Sequence, residues 1–227
     1  MRALLTALAL ILPTALAAQD CSRDAMVVFD GSGSMSEMGF NQLAEPRIHE
    51  ARRAVRTVMP RLDGLRRIGL MIYGPGPGAT CENIELRFPP IPDAARPVIE
   101  AVEALQPDGE TPLTEAVRRA AALLAEGGGA GDVVLVTDGK ETCGGAPCEL
   151  GAYLAAAHPG LRVHVIGYKV RGERFPRDGD APGTESMSTA RCLADQTGGS
   201  YVPAETTEEL VAALQVTLGC PLYGRLR

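Results

Sequence analysis

The sequence predicts an α/β fold: a doubly wound, mostly parallel six-stranded sheet with one antiparallel edge strand and helices on both faces. Short apolar segments alternate with amphipathic helical patterns, and this order produces parallel strands that are covered on both sides. One segment departs from the alternation. Ile84–Phe88 comes after the turn 74–78, which is rich in glycine and proline, so it is predicted to return along the sheet edge as the second arm of a hairpin.

The predicted strands are short, apolar and bounded by glycine or charged residues, which is typical of strands buried on both faces. Four segments fit this description, namely Ala25–Phe29, Ile68–Tyr73, Val133–Thr137 and Val163–Tyr168. Ile84–Phe88 alternates apolar and polar residues, as an edge strand does. Ser200–Pro203 follows a helix stop at Gly198 and Gly199, and it is predicted to be a short last strand.

Amphipathic helices are predicted between the strands, because apolar residues recur there at helical spacing. The residues that define their inward faces are Ile48, Val55, Met59, Val98, Val102, Leu105, Leu113, Val117, Leu124, Leu150, Leu154, Leu210, Leu214 and Leu218. Asp93 is expected to cap the second helix. Pro112 and Pro147 suit the first turns of the third and fourth helices, where a missing N–H costs nothing. Thr206 and Glu209 have the spacing of a capping box at the start of the last helix.

The first 17 residues have the pattern of a secretory signal peptide. Arg2 supplies the positive charge, Ala3–Leu12 the apolar stretch and Ala15–Ala17 the small-residue cleavage pattern. Such an apolar stretch is too short to span a bilayer, and no transmembrane segment is predicted in the mature chain. The protein is therefore predicted to be periplasmic or secreted, with cleavage near Ala17.

Length and charge restrict the organisation and the partners of the mature chain. The residues that remain after the signal peptide are enough for one well-buried domain, predicted at 21–220 with a short tail at 221–227. The formal net charge is −6, which argues against nucleic acid as a partner, because a phosphate-binding protein needs a basic surface.

Oxygen-bearing side chains follow two of the predicted strands. The first strand runs into an Asp-x-Ser-x-Ser turn formed by Asp30, Ser32 and Ser34, and the third buried strand ends at Asp138. Thr111 lies in a loop before a helix. Because the carboxyl ends of parallel strands meet at one sheet edge, these residues are expected to converge there, in an exposed loop. Carboxylates and hydroxyls suit Mg²⁺, with Mn²⁺ and Ca²⁺ as alternatives.

The small number of charged ligands predicts what such an ion does. If the carboxylates are held one shell back, through water, the ion stays electrophilic and incompletely neutralised. An Asp or Glu side chain of another protein can then replace a water. The predicted function is therefore metal-dependent binding of a protein partner through its carboxylate.

These residues resemble the metal-ion-dependent adhesion site of the von Willebrand factor type A (VWA) family. All five positions of that site are matched, by Asp30, Ser32, Ser34, Thr111 and Asp138. The similarity is strongest to exported bacterial members, through segments 74–85, 137–143, 191–193 and 197–199. It covers essentially the whole mature chain and implies the VWA fold, a bound divalent cation and a role in adhesion or interaction.

An enzyme is the main alternative function. A metal-dependent phosphatase would need a carboxylate nucleophile and a lysine that binds phosphate. The chain has only two lysines, Lys140 and Lys169, and no second Asp lies two residues after Asp30. The serines of the motif do not lie in a G-x-S-x-G nucleophile elbow. His164 lies within a strand pattern and is predicted to be a polar strand residue, so no catalytic residue is assigned. A structural scaffold with an incidental ion is the third alternative.

All six cysteines follow the signal peptide, and in an exported chain an even number predicts disulfides. Zinc is disfavoured, because the Cys-x₄-Cys pair has no second pair close by. Cys21 and Cys220 are both expected at the edge of the sheet opposite the Asp-x-Ser-x-Ser turn, and they are predicted to form a disulfide. The inner cysteines leave two sets open, Cys81–Cys143 with Cys148–Cys192 or Cys81–Cys192 with Cys143–Cys148. The first set needs less reach and is the one predicted.

The segment Arg171–Ser186 is polar, rich in glycine, proline and charge, and longer than a usual βα connection. It is interpreted as a surface insertion, which loops tolerate. The alternative is a recognition loop, because the segment leaves the sheet at the same edge as Asp30 and Asp138.

Overall fold

The computed structural model of the chain describes residues 23–39, 44–78, 80–139, 141–170 and 185–219. The predicted signal peptide, the tail at 221–227 and residues 171–184 of the polar segment lie outside this part of the chain. Its strands are β1 (Ala25–Asp30), β2 (Ile68–Tyr73), β3 (Ile84–Ile91), β4 (Ala130–Thr137), β5 (Gly160–Tyr168) and β6 (Tyr201–Ala204).

The strands form one six-stranded sheet in the order β3-β2-β1-β4-β5-β6. Every neighbouring pair is parallel except β2 and β3, which are antiparallel. The predicted fold class is thereby confirmed, including the antiparallel edge strand. Strand β3 extends to Ile91, beyond the predicted end at Phe88, and β6 begins one residue later than predicted.

Helices cover both faces of the sheet. They are α1 (Arg47–Leu62), α2 (Ala95–Ala104), α3 (Leu113–Glu126), α4 (Pro147–Ala157), α5 (Glu185–Thr197) and α6 (Thr207–Leu218), and a 3₁₀ turn spans Gly33–Ser36. Alternate residues of β1 divide the core: Val27 and Phe29 pack with α1, α2 and α6, whereas Met26 and Val28 pack with α3, α4 and α5. This is the pattern expected of a central strand buried on both sides.

Helix starts agree with the sequence in two cases and differ in two. Pro112, predicted in the first turn of α3, is instead its N-cap residue, and the helix begins at Leu113. Pro147 is the first residue of α4, and Thr206 caps α6 in a complete capping box with Glu209. The prediction that Asp93 caps α2 is wrong, because the N-cap residue is Ala94 and it makes no side-chain cap. Instead the Asp63 carboxylate, just past the end of α1, accepts the backbone N–H of Ala95 at 3.2 Å.

Two disulfides join elements that are distant in sequence. Cys81–Cys143 has a Cα–Cα distance of 5.6 Å and Cys148–Cys192 one of 4.9 Å, so the structure has the inner set that needed less reach. The first ties the β2–β3 connection to the segment after β4, and the second joins α4 to α5. The predicted Cys21–Cys220 pair lies outside the described residues. Within those residues, no helix is both long and apolar enough to cross a membrane.

Candidate metal centre

The carboxyl ends of β1 and β4 bring two aspartates to the same edge of the sheet. Asp30 is the last residue of β1, and Asp138 follows Thr137, the last residue of β4. The two strands are parallel neighbours, with Phe29 paired to Val136. The predicted juxtaposition of the two carboxylates therefore follows directly from the sheet order.

A chain of hydrogen bonds links four of the five predicted ligands. Ser32 Oγ donates to Asp30 Oδ1 at 2.6 Å, and the hydroxyl oxygens of Ser32 and Ser34 lie 3.0 Å apart. Ser34 Oγ then donates to Asp138 Oδ1 at 2.6 Å, across 104 residues of sequence. Two carboxylates and two hydroxyls are thus in direct contact at one point of the sheet edge.

The loop that carries Thr111 lies against the serine turn. Gly33 N donates to Gly109 O at 3.0 Å, and Asp108 N donates to Gly31 O at 2.9 Å. Gly109 has a φ of +78°, and a Cβ there would lie 2.3 Å from the carbonyl oxygen of Gly74, so this close approach requires glycine. Thr111 itself is buried, and its backbone N–H donates to Thr142 Oγ1 at 2.8 Å. The loop that carries Thr111 is therefore held against the serine turn, and Thr111 itself is tied by its backbone to the segment after β4.

Two further hydroxyls, which the sequence interpretation missed, hold Asp30. Tyr73 OH donates to Asp30 Oδ2 at 2.7 Å, and Thr137 Oγ1 donates to the same oxygen at 2.8 Å. Tyr73 ends β2 and is paired with Asp30 in the parallel register. The sequence does contain a signal for them: the strands on either side of β1 end in the polar residues Tyr73 and Thr137, at the same sheet edge as Asp30.

The expectation that the motif lies in an exposed loop is wrong. Asp30 and Asp138 are both 0% exposed, and Ser32 is 1% exposed. The physical reason is that the connections after β1, before α3 and after β4 cover one another, with the fully buried Tyr73 beneath them. Ser34 is only partly buried, so the site faces solvent on the side of that hydroxyl.

Burial and like charge shift the ionisation of this centre. Burial, and then the charge of Asp30, raises the pKa of Asp138 to about 7, while hydrogen bonds from Ser34 and Arg47 act in the opposite direction. Burial and the Asp30 carboxylate also raise the pKa of Tyr73 well above its usual value, so its hydroxyl stays protonated and remains a donor. Two buried acids side by side favour a cation between them.

A buried, positively charged side chain lies at the centre. Arg47, the first residue of α1, is 4% exposed, and its Nη1 donates to Asp138 Oδ2 at 2.8 Å. The sequence interpretation missed this residue. Its signal is weak, because only the packing of α1 against the serine turn shows which basic residue reaches the site.

Other groups considered from the sequence lie away from this centre or are engaged elsewhere. Lys169 Nζ pairs with the Glu50 carboxylate at 2.9 Å and donates to Gly39 O at 2.8 Å. His164 is buried in β5, and its Nδ1 accepts the backbone N–H of Ser200 at 3.1 Å. Among the described residues no group of three or more His, Cys, Asp or Glu side chains could hold a metal, so a cation here depends on the hydroxyls.

The chain matches the von Willebrand factor type A domain over residues 25–141, more than half of its length. It belongs to that family. The matched span contains all five predicted ligands. Domains of this family typically mediate protein interactions.

Particular proteins resemble this chain over most of its length. It is 27% identical over 210 residues to "Uncharacterized protein YwmD" of Bacillus subtilis strain 168, covering 88% of this chain and 87% of that protein. The pilus adhesin SpaC of Lactobacillus rhamnosus GG shares the fold with a TM-score of 0.62 and 15% identity, over 87% of this chain and 30% of the adhesin chain. Proximal thread matrix protein 1 of the mussel byssus, solved with a zinc-occupied MIDAS motif, has a TM-score of 0.57 and 13% identity.

The similarity to the mussel protein covers 88% of this chain and 46% of the mussel protein. The chain thus spans less than half the length of both solved proteins. At such low identities the similarity shows the fold alone.

Proposed function

We propose that this chain is an exported, metal-dependent protein-binding domain. Asp30, Ser32, Ser34, Thr111 and Asp138 would hold a divalent cation, Mg²⁺ in the first place and Mn²⁺ or Ca²⁺ as alternatives. The observation that carries the proposal is the hydrogen-bonded series of carboxylate and hydroxyl oxygens at the carboxyl ends of β1 and β4.

The donor set fits a hard cation. Every side-chain donor is oxygen, which suits Mg²⁺, Mn²⁺ and Ca²⁺ better than softer ions. The hydrogen bond from Ser34 to Asp138 brings donors from two separate loops together, which supports this assignment. Burial, and then repulsion from Asp30, raises the pKa of Asp138, and a cation would oppose both effects by stabilising the ionised carboxylates.

The surrounding residues favour binding of an acidic group rather than chemistry on a substrate. Tyr73 and Thr137 fix Asp30, and Arg47 offsets the charge of Asp138. When bound, the divalent cation would supply an electrophilic position for a carboxylate oxygen of a partner. The serine turn, the Thr111 loop and the segment after β4 would orient that carboxylate and limit the access of water.

Similar proteins and the disulfides support this proposal. One similar fold was solved with zinc in its MIDAS motif, and another belongs to a pilus adhesin. The pairs Cys81–Cys143 and Cys148–Cys192 fit an oxidising compartment, either the periplasm or the exterior. Protein adhesion outside the cytoplasm is consistent with both.

An enzymatic alternative has less support from the described residues. A phosphatase would need a free lysine near the carboxylates; Lys169 is buried in its pair with Glu50, and Lys140 lies outside the described residues. His164 accepts a backbone hydrogen bond within the sheet. A scaffold with an incidental ion remains the other alternative, and the dependence of carboxylate binding on the metal separates it from the proposal.

The test compares metal binding by the wild type, Ser34→Ala and Ser36→Ala. Ser34 belongs to the donor set, so its loss is expected to weaken Mn²⁺ binding by about ten-fold or more in isothermal titration calorimetry. Ser36 lies two residues on, in the same 3₁₀ turn, and its hydroxyl donates to Gly33 O at 2.6 Å. Ser36→Ala therefore controls for a general disturbance of the turn and should bind Mn²⁺ like the wild type.

Acetate then serves as the probe of the carboxylate position. It should bind to the Mn²⁺-loaded wild type and should not bind after addition of EDTA. A wild-type protein without measurable affinity for Mn²⁺, Mg²⁺ or Ca²⁺ would refute the metal assignment. Acetate binding that persists in EDTA would instead support a metal-free recognition surface.

A further inference from the structure

Arg47 lies at the metal centre although it is not one of the residues that would hold the metal. Its side chain is 5% exposed and that of Asp138 is 0% exposed, and the two are joined by the 2.8 Å bond from Nη1 to Oδ2. The Ser34 hydroxyl occupies the other oxygen, Oδ1. One acid of the centre therefore holds a neutral donor on one oxygen and a full positive charge on the other.

The segment that carries the serines also fixes the position of Arg47. The backbone N–H of Arg47 donates to Glu37 O at 2.9 Å, and Gly39 N donates to Glu45 O at 2.9 Å. Met38 and Pro46 form an antiparallel bridge between these two bonds. The start of α1 is thus fastened to the turn that follows Ser34, so the guanidinium keeps its place beside Asp138.

The charges of the centre can be counted from these contacts. Asp30 and Asp138 contribute two negative charges when ionised, and Arg47 contributes one positive charge that arginine does not lose. Because the ion pair with Asp138 is buried, salt screens it far less than a surface pair. Arg47 Nη2 also lies 3.7 Å from the carboxylate of Glu37, but that side chain is 66% exposed, so solvent and salt screen its charge. The buried groups therefore present a divalent cation with a net charge of −1 rather than −2, and the cation would keep more of its own charge.

We propose that Arg47 is a specificity-determining residue: its fixed positive charge weakens the hold of the site on the cation and strengthens the hold of the bound cation on a carboxylate. The inference rests on the proposed function and deepens it. Arg47 is too buried to meet the partner itself. It acts on the partner through Asp138, by leaving part of the cation charge to be neutralised from outside.

The test compares three arginine substitutions in the full mature chain. Arg47→Gln keeps a hydrogen-bond donor near Asp138 without the charge, whereas Arg47→Lys keeps the charge. Arg53→Gln is the matched control, because Arg53 lies on the same helix in an ion pair with Glu45, away from the site. Each protein is titrated with Mn²⁺ by calorimetry, and the loaded protein is then titrated with acetate, followed by the relaxation of Mn²⁺-bound water protons.

Arg47→Gln is expected to bind Mn²⁺ about ten-fold more tightly than the wild type, because one buried positive charge near the cation is removed. Its affinity for acetate should fall by a similar factor. Arg47→Lys and Arg53→Gln should remain close to the wild type in both measurements. A purely structural role would lower stability without moving the two affinities in opposite directions.

Equal or weaker Mn²⁺ binding by Arg47→Gln, beside a wild type that binds Mn²⁺, would overturn this inference and leave the proposed function intact. A wild type that does not bind Mn²⁺ would overturn the proposed function. If Arg47→Gln does not fold, nitrogen-15 spectra of the wild-type Arg47 side chain decide the matter. If the guanidinium N–H signals stay protected from exchange with water after Mg²⁺ is added, Arg47 remains beside Asp138 and the inference is supported. Loss of those signals on adding Mg²⁺ contradicts it.

Discussion

Asp30 is held more firmly than a metal ligand on a loose loop would be. Its Oδ1 accepts the backbone N–H of Ser32 at 2.9 Å as well as the Ser32 hydroxyl, and its Oδ2 accepts Tyr73 and Thr137. Hydrogen bonds to a buried charge are stronger than neutral ones, and removing their acceptor leaves several donors unsatisfied. Substitution of Asp30 would therefore change folding together with metal binding, which is why Ser34 gives the cleaner test.

Another buried acid, Asp132, acts on stability rather than on the candidate metal centre. It lies on β4 and accepts Arg66 Nη2 at 2.8 Å, while His164 Nε2 faces its other oxygen at 3.9 Å. Arg66 also donates to the carbonyl oxygens of Arg23 and Asp24, ahead of β1. Burial opposes the charge on Asp132, but its neighbours His164 and Arg66 outweigh burial and lower the pKa of the carboxyl to about 2.

This lowered pKa predicts a loss of stability in acid. The folded-state pKa of about 2 lies below the unfolded value of about 3.9, so the contribution of Asp132 is fully present above about pH 5 and is lost as the pH falls toward 2. The unfolding free energy that separates the wild type from Asp132→Asn should shrink by about 2 kcal/mol between pH 6 and pH 2. Urea unfolding at a series of pH values measures it.

Asp195→Asn is the control for this experiment, because the Asp195 side chain is 61% exposed in its pair with Arg191. Its effect on the unfolding free energy should be small at every pH. A difference between the wild type and Asp132→Asn that stays constant from pH 6 to pH 2 would contradict the role given to the ionised carboxyl.

At the scale of single residues, the sequence was sufficient where chemistry follows from spacing. The Asp-x-Ser-x-Ser turn, Thr111 and Asp138 were predicted, because a motif and two strand ends specify them. Arg47 and Tyr73 were not predicted as parts of the centre. Arg47 reaches Asp138 only through the packing of α1, and Tyr73 reaches Asp30 only through the register of β1 and β2.

Among the connecting elements, the segment after β4 joins the candidate metal centre to the rest of the fold. Glu141 Oε2 accepts the N–H of Thr114 at the start of α3, and Glu141 Oε1 accepts the N–H of Cys143, both at 2.8 Å. Thr142 Oγ1 accepts the N–H of Thr111. Because Cys143 is bonded to Cys81, the disulfide fixes a segment that holds both Asp138 and the Thr111 loop.

The two disulfides are therefore predicted to differ in their effect on metal binding. They close 62 and 44 residues of sequence, for which chain entropy alone gives about 4 kcal/mol of stability in each case. Replacing Cys81 and Cys143 by serine should lower both stability and Mn²⁺ affinity. Replacing Cys148 and Cys192 should lower stability alone, since that bridge joins α4 to α5. Denaturant unfolding and Mn²⁺ calorimetry on both double variants measure this, and equal losses of affinity would contradict it.

At the scale of elements, the alternation of apolar and helical segments predicted all six strands and the antiparallel edge strand, because hydrophobic periodicity indicates which residues are buried. The boundaries were less certain, as β3 and the start of α2 show. Asp93 has a φ of +51° and lies outside the helix, so the cap comes from Asp63 at the end of another element. A contact of that kind depends on tertiary packing and leaves no local signal.

For the whole molecule, the VWA fold brings the serine turn, the Thr111 loop and the segment after β4 to one edge of the sheet. The sheet order places β1 and β4 side by side. Alternation of strands and helices predicted a parallel sheet but not the order of its strands. The predicted signal peptide and the Cys21–Cys220 pair stay predictions. The central claim is that this edge binds a divalent cation which accepts a carboxylate.

Anomalous diffraction from crystals grown with Mn²⁺ and acetate tests that claim most directly. One Mn²⁺ peak is expected between the ends of β1 and β4, with the hydroxyl oxygens of Ser32, Ser34 and Thr111 among its ligands. Asp30 and Asp138 should face it directly or through water, and an acetate oxygen should complete the coordination. No peak at this edge, or a peak held by other residues, would contradict it.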